Sequence, residues 1–154
     1  MELFLIRHAH AVDAKEDAAR PLSDRGRKQA RQLAKFLGAG GAFRPAAFWH
    51  SSLARSQETA RLLARGLRRK VPLVEMSGRE PDDAPAAILR QLRGGNDPLA
   101  IVGHEPHLSG LASLLVGGRA DAPVFVLRKC AVIALEGAGA RWQVRWHLSP
   151  ELLA

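Results

Sequence analysis

The sequence predicts an α/β fold, a three-layer α/β/α sandwich around a mostly parallel sheet, formed as a single domain over residues 1–154. Three observations carry this expectation. Short apolar runs alternate with longer segments of helical periodicity, the polar connections are brief, and neither an internal repeat nor a long linker divides the chain. Strands that alternate with helices form βαβ units, and such units cover both faces of their sheet.

Each element has its own signal. Leu3 to Ile6 is a short, wholly apolar run, as expected for a strand buried on both faces. Residues 24 to 37 read as a helix with Ser23 as N-cap and Ala30, Leu33, Ala34 and Leu37 on one face. Gly38, Gly40 and Gly41 are expected to stop it. Ala46 to His50 is a second strand, and a helix from about Leu53 carries Ala60, Leu63, Ala64 and Leu67. Val71 to Met76 is a candidate third strand. The polar stretch 77 to 83 is a loop, and Asp83 with Pro85 marks a helix start that runs to about Arg93. Leu99 to Val102 is the next strand. Pro106 opens a helix with Leu108, Leu111, Ala112 and Leu115 inward, ended by Gly117-Gly118. Ala131 to Leu135 and Arg141 to Leu148 read as a closing hairpin.

Composition narrows the class. A 47% hydrophobic and 25% charged share is that of a globular chain rather than a disordered one. No apolar run is long enough for a membrane span, and the start lacks a basic n-region and cleavage site. One cysteine, Cys130, allows no internal disulfide, so a cytoplasmic location is expected. Nothing in the sequence calls for more than a monomer. The net charge of +8 favours anionic partners. Much of this charge is arginine scattered along helices as a solvated face, and no nucleic-acid module or stacking aromatic pattern accompanies it. Nucleic acid is therefore not an expected partner.

The chemistry gathers at strand ends. In open α/β sheets ligands bind beyond the carboxyl ends of the strands. Arg7-His8 follows the first strand, Arg55 follows the second, and His104 follows the strand at 99 to 102. An imidazole beside a fixed cation suits attack on a phosphoryl group, with a ring nitrogen as nucleophile and guanidinium on the phosphate oxygens. The bland alternative is a set of ordinary histidines and arginines at strand ends. Four such residues at three strand ends weigh against it.

Leu5-Ile6-Arg7-His8-Ala9, Arg20-Pro21-Leu22-Ser23-Asp24-Arg25-Gly26, Ser51 through Ala60 and Val102-Gly103-His104-Glu105-Pro106-His107 together resemble the histidine phosphatase superfamily. The branch they are most similar to is that of the short, SixA-type phosphohistidine phosphatases. The resemblance implies a phosphoglycerate mutase-like fold, with His8 as the nucleophile that takes the phosphoryl group. Arg7 and Arg55 would bind its oxygens, His104 would complete the pocket, and Arg20 would line the phosphate site. No metal or other cofactor is expected. Two neighbouring arginines disfavour protonation of His8 and keep it nucleophilic near neutral pH. Ala9 departs from the usual glycine and is expected to narrow the pocket or shift its loop slightly.

Glu80 is the candidate general acid, with Asp82 and Asp83 behind it; its plain alternative is a loop carboxylate. An alkoxide leaving group needs a proton in the transition state. Imidazole departs neutral once its other nitrogen is protonated, so phosphohistidine hydrolysis tolerates a weak acid. His10, His50, His107 and His147 carry no motif role, although His107 is close enough in sequence to border the pocket. The loops at 9 to 22 and 77 to 84 are short, so an open pocket that admits a phosphorylated side chain of another protein is expected. The expected function is hydrolysis of phosphohistidine on a partner protein through a phospho-His8 intermediate. The alternatives are a broad phosphomonoesterase acting on small phosphoesters and a non-catalytic phosphate-binding module.

Overall fold

The first strand, β1 (Glu2–Arg7), is apolar toward both sides. Phe4 and Ile6 face one layer, Leu3 and Leu5 the other, and none is more than 1% exposed. A strand of that kind is stable only inside a sheet with both faces covered. A computed structural model describes residues 1–76, 85–92, 94–121 and 124–153, and in it β1 is such a strand. It pairs in parallel with β4 (Leu99–Gly103) and antiparallel with β5 (Val132–Ala138).

The six-stranded sheet has the order β3-β2-β4-β1-β5-β6, with β2 at Ala47–His50, β3 at Leu73–Glu75 and β6 at Arg141–Leu148. The first four strands in that order are parallel, and β5 and β6 form the expected antiparallel hairpin. Four α-helices cover the faces among the described residues: α1 (Asp24–Gly40), α2 (Ala54–Arg65), α3 (Ala86–Leu92) and α4 (His107–Gly117). α1 and α2 pack on the Phe4–Ile6 face, and α3 and α4 on the Leu3–Leu5 face. Each large apolar side chain buried this way stabilises the fold by about 1.5–3 kcal/mol. The three-layer α/β sandwich expected from the sequence is the observed fold.

The glycines of α1 behave differently from expectation. The helix runs through Gly38 and Gly40 and ends at Gly41, which is its left-handed C-cap with φ 71°. Gly38 instead lies against the end of α2, where an added Cβ would stand 2.6 Å from the Gly66 carbonyl oxygen. The N-terminus is as expected: Ser23 Oγ accepts the Gly26 N–H at 3.0 Å. Gly26 itself packs against the loop after β1, and a Cβ there would stand 2.0 Å from the His10 carbonyl oxygen. Any side chain at 26 displaces that loop. The expected helix start at Asp83 and the loop at 77 to 83 lie outside the described residues.

Candidate active site

Sheet register decides which side chains meet. Arg7 is level with Gly103 and Ile6 with Val102, while His50 is also level with Val102. The next residues along these parallel strands are His8, His104 and Ser51, so all three leave the same sheet edge side by side. The His8 N–H donates to the Gly103 carbonyl at 3.0 Å, and the two imidazole centroids are 5.0 Å apart at 49°. His104 Nε2 shares a 2.6 Å hydrogen bond with Ser51 Oγ, which fixes its ring from the β2 side.

His8 is 7% exposed. Its Nδ1 lies 2.7 Å from the Ala9 carbonyl oxygen. A carbonyl can only accept, so Nδ1 carries the proton and the neutral ring keeps its lone pair on Nε2. Burial, above all, pushes the His8 pKa down to about 4, and Arg55, Arg7 and Lys129 push it the same way. The ring is therefore neutral in the folded protein across the ordinary pH range. An unfolded imidazole protonates near 6.5. Between there and about 4 the unfolded chain binds more protons, so falling pH removes stability through this group.

The guanidiniums are anchored at one end only. Arg7 Nη1 donates to the Leu127 carbonyl at 3.1 Å. Arg55, in the first turn of α2 and 5% exposed, donates from Nη1 to the Asp17 carbonyl at 3.0 Å and from Nη2 to Asp17 Oδ2 at 3.3 Å. The Nε–H of each arginine is buried and finds no acceptor among the described residues. A buried donor left unmatched costs about 1–3 kcal/mol. Two such donors, close enough to His8 to depress its basicity, can each donate to an anion's oxygen.

Supporting residues complete the frame. Asp17 lies in a short 3₁₀ turn (Asp17–Ala19) and also takes a 3.3 Å contact from Arg20 Nη1; Arg20 Nε donates to the Val12 carbonyl at 3.2 Å. Arg20 thus meets Arg55 through a shared carboxylate. The Ala9 N–H donates to Thr59 Oγ1 at 3.0 Å, and Thr59 Oγ1 donates to the Arg55 carbonyl at 2.8 Å. Cys130, buried and at φ 63°, gives its N–H to the Arg7 and His8 carbonyls at 3.0 and 3.2 Å. That left-handed conformation costs a non-glycine residue roughly 1–2 kcal/mol, and here it supports the backbone that carries His8.

The structure brings Arg7, His8, Arg55 and His104 to one edge, with Arg20 beside them. Ala9 is fully buried in the core layer under α1 and α2, so its methyl group packs into the interior. Glu80, with Asp82 and Asp83, lies outside the described residues. His107 is buried at the start of α4, and His10 Nδ1 is bonded to Ser23 Oγ at 2.7 Å. Asp17, Ser51 and Thr59 had no role in the sequence reading. Ser51 and Thr59 stand inside the Ser51–Ala60 run, and Asp17 stands one turn before Arg20, which is the only signal that points to them.

A sheet-edge site with a neutral, backbone-oriented imidazole near two guanidiniums, one buried and one half-buried, has the chemistry to handle a phosphoryl group. Residues 3–78 match the model of the histidine phosphatase superfamily (branch 1), and the chain belongs to that superfamily. Membership implies a phosphatase, a hydrolase. The fold is similar over the full length of both chains to the protein histidine phosphatase SixA solved with tungstate (TM-score 0.87, 21% identity, 100% of each chain). It is also similar to a candidate phosphohistidine phosphatase SixA of Agrobacterium tumefaciens (0.81, 21%, 97% of each). An alpha-ribazole phosphatase of Shigella flexneri gives 0.72 at 21% identity and 97% of each chain. No curated protein matches the chain by sequence. Among the described residues no helix is long and apolar enough to cross a membrane.

Proposed function

We propose that this chain hydrolyses phosphohistidine on a partner protein through a phospho-His8 intermediate. The observation that carries the reading is the His8 ring, held through Nδ1 with its lone pair on Nε2 and flanked by two guanidiniums with unmatched Nε–H groups. In the first step the Nε2 lone pair forms an N–P bond as the phosphorus bond to the substrate imidazole breaks. Protonated on its other nitrogen, that imidazole leaves neutral. In the second step water attacks phosphorus, the His8 N–P bond breaks, and inorganic phosphate departs. Arg7, Arg55 and His104, with Arg20 behind Asp17, hold the equatorial oxygens as charge redistributes. The full-length likeness to SixA supports phosphohistidine as substrate.

Small phosphoesters are the second reading, favoured by the likeness to an alpha-ribazole phosphatase. The leaving group separates the two. With wild type, kcat/KM is expected to be highest on a phosphohistidine peptide and lower on alkyl phosphates. Glu80→Gln is expected to cost about 10²-fold or more on an alkyl phosphate and little on phosphohistidine. An alkyl phosphate as the best substrate, with Glu80→Gln equally damaging throughout, assigns the small-molecule activity instead.

The pH profile gives a separate check. Because the His8 pKa is lowered to about 4, kcat/KM for an aryl phosphate is expected to hold from neutral pH down and to fall only as pH drops through about 4. An acid limb centred near 6.5, that of a free imidazole, would contradict a buried neutral nucleophile.

A further inference from the structure

Beside the candidate active site lies a second feature that the phosphoryl chemistry leaves unused. A groove of about 730 Å³ runs from Arg7 across the start of α1 to the 128–129 loop and the C-terminal 3₁₀ segment (Pro150–Leu153). Its cations are Arg7, Arg25, Lys28, Arg128 and Lys129, and its one anion is Glu151. Glu151 meets Arg128 at 3.5 Å. Arg25, Lys28 and Lys129 have no ion-pair partner among the described residues. Arg7 belongs to both the groove and the site, so the groove begins where the phosphoryl pocket ends. Lys129 is close enough to Arg7, Arg20, Arg25 and Arg55 for all four to disfavour its charge.

Uncompensated like charges along one groove cost self-repulsion in the free protein. That cost is recovered when an anionic surface fills the groove. The lining holds no aromatic ring on which a base could stack, which separates it from single-strand nucleic-acid grooves. It offers amides instead, and Gln29 Oε1 is buried with no hydrogen-bond partner among the described residues. Amide oxygens and guanidiniums together match a peptide whose N–H groups donate and whose side chains are carboxylates.

We infer that this groove docks an acidic segment of the phosphorylated protein, next to the residue whose phosphoryl group enters at His8. The inference rests on the phosphoprotein reading above and adds the chemistry of the partner. Binding energy from carboxylates in the groove anchors a substrate that the small phosphoryl pocket alone holds weakly.

The test uses two phosphohistidine peptides of equal length, one flanked by aspartate and glutamate, the other by serine and glycine. Wild type is expected to prefer the acidic peptide by about tenfold or more in kcat/KM, through KM, with the gap closing at high salt. The double charge reversal R25E/K28E is expected to abolish the preference while aryl phosphate turnover stays unchanged. Both residues are exposed on α1, and Arg25 lies in its first turn, where an acidic side chain favours the helix. Equal rates on the two peptides, a preference that survives the reversal, or a matching loss on aryl phosphate would each overturn the groove. Binding of the unphosphorylated acidic peptide, read by fluorescence anisotropy, tests it independently of turnover. Tight binding by wild type and not by R25E/K28E supports the groove even if phosphohistidine proves a poor substrate, which would sink only the parent reading. An oligothymidylate that displaces the acidic peptide at equal concentration would assign the groove to nucleic acid and overturn the inference.

Discussion

His8→Ala is expected to lower turnover of every phosphorylated substrate by on the order of 10⁵-fold, the scale on which enzymes lose an attacking group. The reason is specific to Nε2. The ring is oriented by its Nδ1–H on the Ala9 carbonyl, and burial keeps the opposite nitrogen unprotonated. His104, 5.0 Å away by ring centroid, cannot substitute, because its Nε2 is bonded to Ser51. Labelled substrate quenched in alkali should leave label on wild type that acid then removes, as expected for a phosphoimidazole, and none on the variant. His8→Gln, which keeps a polar group at the site, serves as the folding control. Near-normal turnover by either variant, or label on the variant, would remove His8 from the chemistry.

The second large effect falls on Arg55. Arg55→Lys is expected to reduce kcat/KM by about 10²–10³-fold, equivalent to about 2.7–4 kcal/mol of lost charge stabilisation. Lysine keeps the charge but not the geometry. The guanidinium uses its two Nη groups to grip Asp17 while its Nε–H stays unmatched. A single ammonium cannot hold the loop and reach a phosphate oxygen in fixed directions at once. Asp17→Asn separates the two duties, since it retains Arg55 and weakens the carboxylate that anchors it and Arg20, so a loss of about tenfold is expected. Steady-state kinetics on an aryl phosphate decide between them. If Arg55→Lys proved as mild as Asp17→Asn, Arg55 would be a scaffold residue rather than a phosphate ligand.

How much of this was legible in the sequence depends on whether a residue's meaning is local. Arg7-His8 and His104 were readable because apolar runs announce parallel strands, and parallel strands deliver their carboxyl ends to one edge. The helix faces were readable from apolar spacing, and Ser23 from its capping chemistry. Gly38 and Gly40 misled because glycine has two uses. Read locally it ends helices, while Gly38 in α1 makes room for the Gly66 carbonyl at the end of α2, a contact that no local pattern contains. Asp17, Ser51 and Thr59 act only through partners distant in sequence: Arg55, His104 and the Ala9 backbone. Their side chains look like ordinary loop and helix polarity until the fold sets them opposite those partners. Cys130 read as a redox marker, yet burial pushes its thiol up to about 12 and its backbone is what matters.

The pairing of Arg7 with Gly103 has a consequence for how the molecule is assembled. The two imidazoles come from distant parts of the chain and meet only when β4 docks beside β1. Helices can form early from local contacts, whereas such a pairing waits on closure of a long loop. Regained catalysis after dilution from denaturant would therefore time the closing of the central strand pair, and helical signal would return ahead of it. The enzyme's own turnover becomes a clock for a long-range strand pairing in its fold.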